Sequence, residues 1–243
     1  FEAPTVRGMA RLVAEATAPT AAASDALAVV PADAPVERPP GSQVLLSFSQ
    51  ERMWFMQVLA ADSGAYNIPL AIRFKGAFDT GAMQAALERV VQRHEVLRTR
   101  FIRTAEGVVG EIVGAQFPVI ENVQLAQDDG ASADDALGQH LAKVTRTPFH
   151  LDQCPLLRAQ AIRLADGDVV LLIVMHHIVG DQWSFAELGR ELAAHYNAIR
   201  QGGEAALPPL PFQVADHARW HRAWFAGERE ARERDHWLRR LAG

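Results

Sequence analysis

Only one cysteine, Cys154, occurs in the 243 residues. An internal disulfide is therefore excluded, which fits a reducing, cytoplasmic setting. No run of about 18 apolar residues is present, so a membrane-spanning helix is not expected. The start carries no charged-then-apolar signal pattern. No basic cluster stands out, and the formal net charge is -5, which argues against a nucleic-acid surface. Internal repeats are absent. What remains, 49% apolar and 22% charged residues, is the composition of a globular protein with a sizeable core.

The richest stretch is Val169-Val-Leu-Leu-Ile-Val-Met-His-His-Ile-Val-Gly-Asp-Gln-Trp-Ser184. Its apolar, β-branched start follows the turn signal Asp166-Gly167 and reads as a strand buried on both faces. The run ends in His176 and His177, then a gap of three, then Asp181, with a helical pattern from about Trp183. Neighbouring strand side chains point to opposite faces. One histidine should therefore face a cleft and the other should pack inside. Divergent histidines with no cysteine nearby make a poor zinc set. A satisfied structural histidine is the bland alternative. General acid–base chemistry, with a neutral imidazole held by a nearby carboxylate, is the reading that uses all three residues.

The remaining segments fall in order. Residues 1–15 place Val6, Met9, Ala10 and Val13 on one helix face, with Pro4 near its start. Residues 16–42 are rich in Ala, Pro, Thr and Ser and read as an interdomain linker. The globular part is expected from Gln43. Ser47 or Ser49 caps a helix with Met53, Met56, Leu59 and Ala60 inward. Tyr66–Phe74 is a strand, and Asp79 caps a helix to about Gln92 with Met83, Ala86, Leu87 and Val90 inward. In Arg93–Phe101 the alternation of Leu97, Thr99 and Phe101 against Arg98 and Arg100 predicts a half-buried strand. Strands follow at Val108–Val113 and Val119–Leu125, and Ser132 caps a helix from Ala133. A hairpin joins Leu156–Leu164 to the central strand. Phe185, Leu188, Leu192 and Tyr196 mark the inner face of the next helix.

Several of these segments resemble one family. Met175-His-His-Ile-Val-Gly-Asp-Gln-Trp-Ser184 is similar to the His-His-x-x-x-Asp-Gly motif of condensation domains in nonribosomal peptide synthetases. Ser47–Phe55 resembles their opening Ser-x-x-Gln-x-Arg-x-Trp-Phe pattern, and Arg93–Thr99 their Arg-His-Glu-x-Leu-Arg-Thr. Pro148–Arg158 resembles Pro-Phe-Asp-Leu-x-x-x-Pro-Leu-x-Arg, with His150 in place of Asp. Phe212–Trp220 resembles Tyr-x-Asp-Tyr-Ala-x-Trp. Phe1–Val6 is similar to the end of a carrier domain. Gln182 stands where the family has Gly, a residue that permits positive φ.

The resemblance implies an α/β fold (an α+β sandwich), a chloramphenicol-acetyltransferase-like lobe with a mixed β-sheet flanked by helices. It divides the chain into 1–15, the last helix of a carrier; 16–42, the linker; and 43–243, the N-terminal lobe of a two-lobed condensation domain. The implied activity is amide bond formation between two carrier-bound thioesters, with the single lobe inactive by itself. His177 is the implied catalytic residue, as a base or as an orienter of the amine. His176 and Asp181 are structural, with Arg93, or else Arg98, as the interior partner of Asp181. Gly180, Gln182, Trp183 and Ser184 support the site.

No cofactor or metal is expected to bind directly; substrates would arrive on the 4′-phosphopantetheine arms of donor and acceptor carriers. The other implied partners are a second lobe and an adjoining adenylation domain, with no nucleic acid and no membrane. Epimerisation domains share the fold and the His-His-x-x-x-Asp motif; they, dual epimerisation and condensation domains, and a non-catalytic carrier-docking module stay open as alternatives.

Overall fold

The computed structural model describes residues 38–114, 116–125 and 132–242. The helix read at 1–15 and most of the linker read at 16–42 lie outside the described residues. In chain order the strands are β1 (Gln43–Val44), β2 (Asn67–Phe74), β3 (Thr99–Arg103), β4 (Val108–Ile112), β5 (Ile120–Gln124), β6 (Leu157–Arg163) and β7 (Val169–His176). The α-helices are α1 (Phe48–Leu59), α2 (Thr80–Arg93), α3 (Ala133–Arg146), α4 (Gln182–Arg200), α5 (Val214–Phe225) and α6 (Glu228–Leu241).

All eight residues of β7 are buried, as its unbroken apolar run requires. It lies between β2 and β6, antiparallel to both, and β5 adds to β6 in parallel, giving the order β2-β7-β6-β5. A smaller antiparallel sheet has the order β1-β4-β3. The β6–β7 hairpin turns at Gly167, whose φ of +87° suits a residue without a Cβ. Helices flank the larger sheet. Leu137, Leu141 and Val144 of α3 pack on the core, while Met83, Ala86, Leu87 and Val90 of α2 are all buried. The capping residues are Asp79 for α2 and Ser132 for α3, each accepting a backbone N–H from three residues on. Helix α2 packs along α4, which buries Leu188 and Leu192.

Two local expectations are corrected. The strand read from Arg93 begins only at Thr99. Arg93 ends α2, and Glu95–Arg98 form a 3-10 turn, in which the two-residue period of a strand does not apply. Arg98 therefore turns inward beside Leu97 and is only 5% exposed. From Thr99 onward the alternation holds, with Thr99 and Phe101 buried.

The second correction concerns α1, which is capped by Ser47 through a reciprocal bond with Gln50. Its inward face is Gln50, Met53, Trp54 and Gln57, while Met56, Leu59 and Ala60 are exposed. The two glutamines face inward because their side chains find partners at and just after the end of β7.

Contacts with the body of the domain begin before Gln43. Arg38 pairs with Glu95 at 2.7 Å and also with Asp216 of α5. Among the described residues, no helix is long and apolar enough to cross a membrane.

Candidate active site

The two histidines lie at the end of β7, and the strand's alternation separates them. His176 is the last strand residue and is fully buried. Its Nδ1 accepts the Ile178 N–H at 3.1 Å, and its Nε2 lies 3.3 Å from Gln57 Oε1. Both Gln57 amide protons go to the carbonyls of Ala61 and Ser63, at 3.0 and 3.2 Å. The Gln57 oxygen must therefore face His176 as an acceptor, and the proton of a neutral His176 sits on Nε2. Burial, and secondly the neighbouring His177, lower its pKa from 6.5 to about 4.

That shift ties stability to pH. The unfolded chain takes up this proton near pH 6.5, while the folded chain resists it down to about pH 4. The stability that His176 contributes is thus complete above pH 6.5 and is lost as pH falls through that window. The loss reaches roughly 3 kcal/mol by pH 4. Melting temperatures of the chain and of His176→Gln, compared from pH 7 to 4, should show a steeper acid fall in the unmodified protein. Parallel curves would mean that the ring is solvated.

His177 is the first residue beyond the strand and is half-buried. Its N–H donates to the Tyr66 carbonyl at 2.7 Å. Its Nδ1 is buried with no partner among the described residues. The carboxylate expected to hold this imidazole is engaged elsewhere. Asp181 is the N-cap of α4, where Oδ1 accepts the Ser184 N–H at 2.9 Å and the Ser184 hydroxyl at 2.8 Å. The Ser184 oxygen in turn accepts the Asp181 N–H at 3.1 Å. The Ser184 bonds, and to a lesser degree the charge of His177, hold the Asp181 carboxyl below the ordinary carboxylate range.

The expected pairing of Asp181 with Arg93 is not formed. Arg93 Nε donates instead to Glu191 Oε1 at 3.0 Å, and His94 Nε2 lies 2.8 Å from Glu191 Oε2. The Glu191 side chain is fully buried. Arg93 ends a helix that lies along α4, so it meets the middle of α4 rather than its N-terminus. Glu191 adjoins the apolar positions Leu188 and Leu192, and a carboxylate on that inner face was the signal available in the sequence.

Arg98 does not reach Asp181 either. Its only side-chain hydrogen bond among the described residues is a long one, 3.5 Å from Nη1 to the Val113 carbonyl, and its Nε is unpartnered. Asp181 is thus an exposed cap. Asp181→Ala should cost about 1 kcal/mol, and Asp181→Asn less, since Asn caps almost as well. A loss of several kcal/mol on chemical denaturation would restore the buried pair.

The residues expected to support the site differ in their surroundings. A Cβ on Gly180 would lie 2.9 Å from Met175 Sδ and 3.2 Å from Ser184 Cβ, so the loop crosses too close for a side chain. Gln182 opens α4, and no non-glycine residue among those described has positive φ. The Gly that the family has at that position is therefore not required by backbone conformation here. Trp183 is 85% exposed. It borders a cavity of about 320 Å³ that is also lined by Val90, His94, Leu97, Val179 and Leu188. Among the described residues, no three His, Cys, Asp or Glu side chains are placed to hold a metal ion.

Residues 42–243 match the family profile of the condensation domain. A component of the linear gramicidin synthase of Brevibacillus parabrevis is 38% identical over 199 residues, 82% of this chain and 3% of that protein. A dimodular nonribosomal peptide synthase of Bacillus subtilis (strain 168) is 36% identical over 230 residues, 94% of this chain and 9% of that protein. The chain thus spans a small fraction of these relatives. Among solved structures, the X-domain of teicoplanin biosynthesis in complex with OxyB is 30% identical with a TM-score of 0.73, covering 86% of this chain and 45% of that one. The first condensation domain of the calcium-dependent antibiotic synthetase is 20% identical and shares the fold, with a TM-score of 0.73 over 84% of this chain and 50% of that one. The chain belongs to the condensation-domain family of nonribosomal peptide synthetases.

Proposed function

We propose that this chain is the N-terminal lobe of a condensation domain and that it carries the residue acting in amide bond formation. The observation that carries this reading is the division of labour at the end of β7. His176 is locked, neutral and buried, while His177 is half-buried with no carboxylate holding its ring among the described residues.

In the proposed reaction, the α-amine of an acceptor aminoacyl thioester attacks the carbonyl carbon of a donor acyl or peptidyl thioester. The C–N bond forms, the C–S bond breaks, and the donor's thiol departs. His177 takes the proton that the amine must shed, and that proton balances the leaving thiolate. Both substrates ride on 4′-phosphopantetheine arms of donor and acceptor carriers, so holding two tethered groups together supplies part of the rate. A second lobe supplies the other wall of the site, and an adenylation domain adjoins it. The chain covers about half of the solved domains it resembles, in keeping with one lobe of two. By itself it is proposed to be inactive.

The test is the intact synthetase segment with loaded donor and acceptor carriers, followed by mass spectrometry of the acceptor carrier. An amide-linked product made by the intact segment, and absent with the 243-residue chain alone, is expected. An inverted donor stereocentre with no amide would make the domain an epimerase instead. A second reading, a module that holds a partner protein without catalysis, is favoured by the likeness to an X-domain solved with OxyB. Carrier binding without product would establish it.

A further inference from the structure

Helix α1 carries two buried glutamines seven positions apart, so they lie two turns apart on one face. Each grips a different residue beside His177. Gln57 Oε1 lies 3.3 Å from His176 Nε2, and its own amide is fixed by the carbonyls of Ala61 and Ser63. Gln50 Nε2 donates to the Ile178 carbonyl at 3.1 Å, and Gln50 Oε1 accepts the Ser47 N–H at 2.9 Å. The peptide groups around His177 are held as well. The His177 N–H goes to Tyr66, the Ile178 N–H to the His176 ring, and the His176 carbonyl accepts from Val179.

Meanwhile the His177 ring has no bond at Nδ1 among the described residues. A metal-free imidazole is ordinarily aimed by the partner of its second nitrogen. Here the Asp181 carboxylate is committed to capping α4. The direction of the ring must come from its backbone and packing. Among the described residues, the side chain that reaches that backbone from outside the loop is Gln50 of α1, and Gln57 reaches it through the His176 ring.

We propose that Gln50 and Gln57 are positioning residues that set where the His177 imidazole points, Gln50 through the Ile178 carbonyl and Gln57 through His176. The proposal rests on the reading of His177 as the reacting residue. It assigns Gln50, of the opening Ser-x-x-Gln segment, a role in the site in addition to capping, and it gives Gln57, two turns on, a role beside it.

The decisive comparison is Gln50→Met against Ser47→Ala. Both weaken the cap of α1, but only the first removes the donor to Ile178. In the intact synthetase segment with loaded carriers, Gln50→Met should lower kcat by about 10- to 100-fold, the order expected for a misplaced reacting group. KM should stay within about twofold, because no substrate contact is removed. Ser47→Ala should leave kcat within about twofold.

In the 243-residue chain, with histidine carrying ¹³C at Cε1, the His177 resonance should shift or broaden in Gln50→Met and stay put in Ser47→Ala. Equal kinetic losses in both variants, or an unmoved His177 resonance in Gln50→Met, would overturn the proposal. Full activity of His177→Ala would instead overturn the catalytic reading, and the resonance comparison would still decide whether Gln50 aims the ring.

Discussion

Glu191→Ala should cost about 3–5 kcal/mol of stability. The carboxylate is fully buried and receives Arg93 on one oxygen and His94 on the other, at 3.0 and 2.8 Å. Both partners come from the end of α2, and Glu191 is in the middle of α4, so this cluster joins the two helices along their packed length. Removing it leaves the partly buried Arg93 guanidinium with only the Pro208 carbonyl among the described residues, at 2.5 Å. A guanidinium there, its side chain 19% exposed, loses its countercharge and regains only part of its water.

For a domain of this size the expected loss corresponds to a fall in melting temperature of roughly 6–20 °C. Arg93→Met combined with Glu191→Leu should be much less damaging than Glu191→Ala, since replacing a whole buried pair by apolar groups is often tolerated. Calorimetry of the variants checks both statements. If Glu191→Ala melted within about 1 kcal/mol of the parent, the cluster would be hydrated and would not be joining the helices.

This cluster also shows where sequence reasoning reaches its limit. Strand β7 was legible because a run of seven apolar residues bounded by a turn has few other uses, and its alternation alone separates His176 from His177. The caps Asp79 and Ser132 were legible because a cap acts within three residues. Arg93 was visible as a charge in need of a partner, but its choice depends on how α2 lies against α4, a contact between residues 98 positions apart. The nearest motif acid, Asp181, is satisfied locally by Ser184, three residues on.

The inward face of α1 was hidden for a related reason. An apolar pattern points to Met53, Met56 and Leu59, yet Gln50 and Gln57 are the residues with partners 128 and 119 positions away. A buried glutamine looks polar and exposed until its carbonyl or ring partner is known. The 3-10 turn at Glu95–Arg98 was masked by an alternation that imitates a strand.

In the intact synthetase segment, His177→Ala should reduce amide formation by about 10²–10⁴-fold, the range that a positioned general base contributes. Its melting temperature should stay close to that of the parent. The half-buried ring makes no side-chain hydrogen bond at Nδ1 among the described residues, so its removal leaves no donor or acceptor stranded at that nitrogen. The His177 N–H bond to Tyr66 is a backbone bond and survives the substitution.

His176→Ala should behave in the opposite way. It removes a fully buried ring between Tyr66 and Phe149, strands Gln57 Oε1 and frees the Ile178 N–H. Unsatisfied buried groups cost about 1–3 kcal/mol each, so that variant should lose stability first and activity as a consequence. Single-turnover rates, measured well below each variant's melting temperature, separate the two effects. A purely kinetic loss of equal size at both positions would mean that both rings reach the substrate. The alternation at the end of β7 would then have been misread.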